Sequence, residues 1–137
     1  MSFVLDNSVL AGWFIANQAD DYSDAIAARL AEGQACAPAL LELEFVNLLR
    51  TACRRGAMTV VVAREIVDLV MQLPIHIDKE RVAPAALLSL ALRHDLSSYD
   101  AAYLELALRQ QLPIATRDAA LAEAAWAAGV GVVTADG

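Results

Sequence analysis

The sequence predicts an α/β fold: three α/β/α layers around a central, mostly parallel sheet of about five strands. Three observations predict it. Short β-branched or apolar runs alternate with longer segments of helical period, as in strands buried beneath helices on both faces. The prolines Pro38, Pro74, Pro84 and Pro113 all fall near borders between such segments, where a missing amide donor does no harm. Finally, Asp6 and Asp118 stand where an apolar run gives way to a helical one, at strand-to-helix turns.

In chain order, Phe3 to Leu5 is an unbroken apolar run and forms the first strand, followed by helices over Ser8 to Asn17 and Tyr22 to Glu32. Ala35 to Ala37 forms the second strand. Beyond Pro38 a helix runs from Ala39 to Arg54, with Leu41, Phe45, Leu48 and Ala52 on its core face, and Gly56 suits its end. A helix over Thr59 to Gln72, a strand at Ile75 to Ile77 and helices over Val82 to His94 and Ser98 to Gln110 come next. A strand at Ile114 to Thr116, a helix over Asp118 to Ala128 ending at Gly129, and a strand at Val130 to Val133 complete the set. No repeat, linker or low-complexity tract interrupts it, so residues 1–137 read as a single domain.

Composition narrows the function classes. Hydrophobic residues make up 58% and charged residues 20% of the chain, more apolar than an ordinary soluble monomer requires, which directs attention to contacts with other chains. Ala124 to Val133 is too short to cross a bilayer and is broken by Gly129 and Gly131. The first residues lack the pattern of a secretory signal, and Cys36 and Cys53 have neither metal-ligand spacing nor disulfide density; they read as buried thiols. A cytoplasmic location is expected. The net charge of -7, with Lys79 as the sole lysine, opposes broad electrostatic capture of nucleic acid, so any such contact is local, through arginines and bound cations.

Candidate chemistry rests on four acids. Asp6 and Asp118 sit beyond strand ends, where ligands of open parallel sheets bind, although each position also suits a helix N-cap. Glu44 lies at the edge of its helix's core face, aligned with Asn47, Thr51 and Arg55; an exposed pair with Arg54 or Arg55 is the plainer alternative. Asp100 points to the same side as Leu104 and Ala107, and Ser97-x-x-Asp100 also fits a capping box. Carboxylates that converge repel one another unless protons or cations neutralise them, so convergence of these four makes a site for a divalent cation. No phosphate-binding glycine motif and no Cys/His zinc spacing competes with it.

Four segments, taken in order, resemble the PIN-domain ribonucleases, and among them the VapC-like toxins of bacterial toxin–antitoxin pairs. They are Val4-Leu5-Asp6-Asn7-Ser8, Pro38 to Leu49 around Glu44, Leu96 to Leu104 around Asp100, and Leu112 to Leu121 around Asp118. The resemblance implies a PIN-like fold and a metal-dependent endoribonuclease with Asp6, Glu44, Asp100 and Asp118 as its acidic pocket. Asp6, Asp100 and Asp118 would hold Mg²⁺ or Mn²⁺, with Ser8 and Thr116 as polar neighbours. It further implies an RNA substrate cut to 3′-hydroxyl and 5′-phosphate ends, a homodimer, and a VapB-like antitoxin whose tail fills an apolar groove near Trp13, Phe14 and Ile15. Arg50, Arg54, Arg55 and Arg117 are expected to touch substrate phosphates.

Three other classes stand beside this one. A haloacid-dehalogenase-like phosphohydrolase would want a second acid where Ser8 stands, and a receiver module would want a lysine after a late strand, whereas Lys79 follows a middle one. An inactive PIN-like scaffold would serve only for binding.

Overall fold

The structure is a computed structural model that describes residues 1–136. Strand β1, Ser2–Leu5, occupies the middle of a parallel sheet; β2 is Gln34–Pro38, β3 is Ile75–Asp78 and β4 is Ile114–Ala115. The sheet order is β3-β2-β1-β4. Successive side chains of a strand point to opposite faces, yet Phe3, Val4 and Leu5 are all 0% exposed, so the sheet is covered on both sides.

Helices α1 (Asn7–Phe14) and α2 (Asp21–Ala31) join β1 to β2, with a short 3₁₀ turn at Ala16–Gln18 between them. Next come α3 (Leu40–Arg54) and α4 (Val60–Met71), leading to β3. Beyond β3 lie α5 (Pro84–His94) and α6 (Ser98–Gln110), and α7 (Ala119–Ala127) follows β4. Helix α6 packs across β1, β2 and β4, burying Tyr103, Leu104, Leu106 and Ala107, while α2 and α3 pack against β2. No helix among the described residues is long and apolar enough to cross a membrane.

Two expectations are corrected. The expected fifth strand, Val130 to Val133, is reduced to one bridge between Ile114 and Val132. Gly129 and Gly131 take φ values of +85° and +78°, which turn the chain out of the extended path, and β4 offers only two residues to pair with. The fifth helix begins at Pro84 instead of Val82. Proline supplies the φ of a first helical residue but crowds the residue before it out of helical conformation, so Ala83 stays extended at ψ 131°. Cys36 and Cys53 are free thiols and only half-buried.

Helix α1 approaches α2 so closely that a Cβ on Gly12 would lie 2.2 Å from Ser23 Oγ and 2.6 Å from Ser23 Cβ. Trp13 Nε1 beside it donates to the Ser23 carbonyl at 2.6 Å. Ser23 is fully buried and has no room to retreat. Gly12→Ala is therefore expected to lower stability by roughly 1–3 kcal/mol, the usual cost of overpacking, as read by urea unfolding. An unchanged midpoint would show that the α1–α2 contact is looser than it stands here.

Candidate functional site

The chain crosses from β1 to β2 in one direction and from β3 to β4 in the other, so the turnover point of the topology lies between β1 and β4. In open parallel sheets a crevice forms there, beyond the carboxyl ends of the strands. Asp6 follows β1 directly and is tied to β4 by its amide, which donates to the Ala115 carbonyl at 3.0 Å. Asp6 is 6% exposed. Thr116 Oγ1 donates to Asp6 Oδ2 at 2.7 Å and Ser8 Oγ donates to the same oxygen at 2.8 Å. Burial raises the Asp6 pKa; these hydrogen bonds and the Asn7 amide oppose the rise, and the nearby Asp118 charge adds to it.

Asp118 is the N-cap of α7, accepting from the Leu121 amide at 3.0 Å. Its own amide donates to Thr116 Oγ1 at 3.0 Å, so one hydroxyl links both aspartates. Capping and pocket lining coexist at this residue, since Asp118 also faces the crevice.

Asp100 occupies the first turn of α6, where the Asp100 amide donates to Ser97 Oγ at 3.1 Å. Only this half of the expected capping box forms among the described contacts, which leaves the Asp100 carboxylate free to turn inward. Burial raises its pKa to about 6, helped by the charges of Asp118, Asp6 and Glu44. Glu44 projects from the half-buried edge of α3, and Tyr103 Oη donates to its Oε1 at 2.6 Å. Burial raises Glu44 as well, against that hydrogen bond, and the Asp6 charge raises it further.

All four acids line one open cleft of about 250 Å³, together with Asn7, Ser8, Gln18 and Arg117. Two larger pockets elsewhere, of about 490 and 470 Å³, do not touch the four. Among the described residues, however, no three His, Cys, Asp or Glu side chains are gathered tightly enough to enclose an ion. The two facts agree with a hydrated hard cation: magnesium keeps several waters and takes one or two carboxylates directly, so an oxygen-lined cleft of spaced acids suits it. Asn7 Oδ1, buried in the cleft wall without a hydrogen-bond partner, adds another oxygen acceptor. The donor set fits a divalent metal.

Arg117 departs from expectation. Its guanidinium donates to the Ser8 carbonyl at 3.0 Å and to Gln18 Oε1 at 3.1 Å, and pairs with Asp20 at 3.3 Å. Fastened to the 3₁₀ turn, it braces the cleft rim and is not free for substrate. Arg50, Arg54 and Arg55 remain exposed along the last turns of α3. Sequence reasoning assigned no role to Tyr103, Asn7 or Gln18. A signal did exist for Tyr103, which lies three residues after Asp100 on a buried stripe where a tyrosine hydroxyl needs a partner.

The family model for the PIN domain matches residues 3–127, nearly the whole chain. The chain belongs to the PIN domain family. PIN domains are in general metal-dependent nucleases that use divalent ions, which agrees with the acids in the cleft. The dehalogenase-like and receiver readings give way to this assignment. Among solved structures, this PIN domain resembles the crystal structure of PAE2754 from Pyrobaculum aerophilum. The TM-score is 0.64 at 22% identity, over 90% of this chain and 79% of that one, a likeness of fold. No curated protein matches it.

Proposed function

We propose that this PIN domain is a Mg²⁺- or Mn²⁺-dependent endoribonuclease, the VapC-like toxin of a toxin–antitoxin pair acting in the cytoplasm. The observation that supports this most is the meeting of Asp6, Glu44, Asp100 and Asp118, from four separate segments, around one cleft at the sheet's turnover point.

Asp6, Asp100 and Asp118 would hold the ion, in part through its bound waters, with Glu44 assisting directly or through water. When bound, the ion supplies an activated water and offsets charge on the scissile phosphate. The chain's own residues prepare for this. Thr116 and Ser8 hydrogen-bond to Asp6 and fix its orientation. Thr116 also receives the Asp118 amide, keeping those two acids in register. The overall negative charge keeps RNA away except where cations reverse the local sign, so attack is confined to the cleft, with Arg54 and Arg55 as outlying phosphate contacts.

Partners follow from the apolar surplus. Trp13 and Phe14 line an apolar groove of about 470 Å³ with Ala27, Leu30, Leu73 and Pro74, which suits an antitoxin tail. Exposed Val61, Leu69 and Met71 on α4 and Leu88 and Leu92 on α5 offer surface for a homodimer.

The test uses purified protein and total cellular RNA. Cleavage with Mg²⁺ or Mn²⁺, its arrest by EDTA, new 5′-phosphate ends and co-purification with the product of the adjacent reading frame are expected. RNA left intact in both metals would remove the nuclease reading, and a strict monomer with no affinity for that product would remove the toxin reading.

A further inference from the structure

The Tyr103–Glu44 hydrogen bond joins two helices across the cleft. Asp6 and Asp118 are held at strand ends and a helix start, by Ser8, Thr116 and the α7 amides, whereas Glu44 stands partway along α3 and is held by a side chain of another helix, 59 residues away in sequence. Tyr103 is 0% exposed, and its hydroxyl reaches Glu44 Oε1 at 2.6 Å, a short, charge-assisted geometry. Helix spacing explains how α6 serves both sides of the cleft. Tyr103 comes three residues after Asp100, so one helix face presents Asp100 to the crevice and, one turn deeper, a hydroxyl to the acid opposite.

From this geometry we infer that Tyr103 is a positioning residue, which pins one oxygen of Glu44 and leaves the other free to face the cleft. A glutamate has three rotatable side-chain bonds, and a half-buried carboxylate without a donor turns toward water. The buried phenol removes that freedom. Oε1 is occupied by Tyr103, and no hydrogen bond engages Oε2 among the described residues. Glu44 thus offers a single oxygen in a set direction, suited to receiving a proton or orienting a water beside the ion. This rests on the proposed nuclease reading for its purpose, though not for its geometry.

Two measurements test it, both on the full chain. The first is metal-free: the orientation of the Glu44 side chain by crystallography in the parent and in Tyr103→Phe. Displacement of the carboxylate in Tyr103→Phe is expected, and a Glu44 that keeps its place overturns the inference. The second is Mn²⁺ affinity, followed by electron paramagnetic resonance, in Tyr103→Phe, Glu44→Gln and the double variant. Loss of a hydrogen bond behind a ligand typically weakens metal binding about tenfold or more, so Tyr103→Phe should do so, and should add almost nothing once Glu44→Gln is present. Additive effects, or a Tyr103→Phe variant with parental affinity, also overturn it. Glu44→Asp, which withdraws the carboxylate from the phenol while keeping the tyrosine, should match Tyr103→Phe and serves if that variant folds poorly; parental affinity there counts against the inference. A parent that binds no Mn²⁺ would strike the nuclease reading, and the crystallographic comparison would then decide the role of Tyr103 alone.

Discussion

Asp6→Asn should abolish metal-dependent RNA cleavage while making the metal-free protein more resistant to heat. The amide keeps an oxygen that can accept from Thr116 and Ser8, so the local hydrogen bonds survive. What disappears is the charge. A ligand carboxylate supporting transition-state stabilisation worth several kcal/mol corresponds to a rate loss of roughly 10³-fold. The gain in stability has an independent cause. Burial raises the Asp6 pKa, so folding disfavours its charged form at neutral pH, and the neutral amide relieves that cost. A rise of a few degrees in melting temperature, together with lost cleavage, is the expected pair. Parental cleavage rates would show that Asp6 is no ligand, and a large fall in melting temperature would show that its charge is structural.

The second large effect is a dependence of stability on pH that divalent ions reverse. Asp100 has a folded pKa of about 6, above its ordinary value of 3.8. A carboxyl raised on folding binds its proton more tightly in the native state. Its contribution is therefore complete below pH 3.8 and is lost as pH rises through about 6. Asp6 and Glu44 are raised too and act in the same direction. Asp20 and Asp78 are lowered, the first by its hydrogen bond with Ser23 and the second by Arg109, so their contributions vanish as pH falls below the ordinary carboxylate range. The metal-free protein should accordingly be most stable near pH 4 and lose several degrees of melting temperature as pH rises through about 6. Mn²⁺ at about 100 times its dissociation constant should return roughly 2.7 kcal/mol at pH 7.5 and far less at pH 5, where protons occupy the acids. Calorimetric scans at both pH values, with and without Mn²⁺, check this. An equal Mn²⁺ effect at the two values would place the ion away from these carboxylates.

The strands that carry the site were legible because a central parallel strand is apolar without alternation, as Phe3-Val4-Leu5 shows, and because Asp6, Asp100 and Asp118 come where such a run ends or a helix starts. The pairing of β1 with β4 was not readable from either segment alone; it depends on the chain reversing its direction across the sheet. Val130 to Val133 misled through composition, since valine favours strands while the backbone of Gly129 and Gly131 forbids one there. Arg117 misled differently. Proximity to Asp118 in sequence suggested a phosphate contact, but only the fold shows that Gln18 and Asp20 claim its guanidinium first. Tyr103 went unassigned because its partner lies on another helix, at a distance no local pattern reports.

The link between Asp6 and Thr116 spans 110 residues. During synthesis β1 waits for its neighbour β4 until every element between them has been made, and closing so long a loop is slow. A nascent or prematurely terminated polypeptide that stops before Ile114 therefore carries three of the four carboxylates but no assembled crevice. The crevice is thus a late product of folding, complete only when the two ends of this long loop have met.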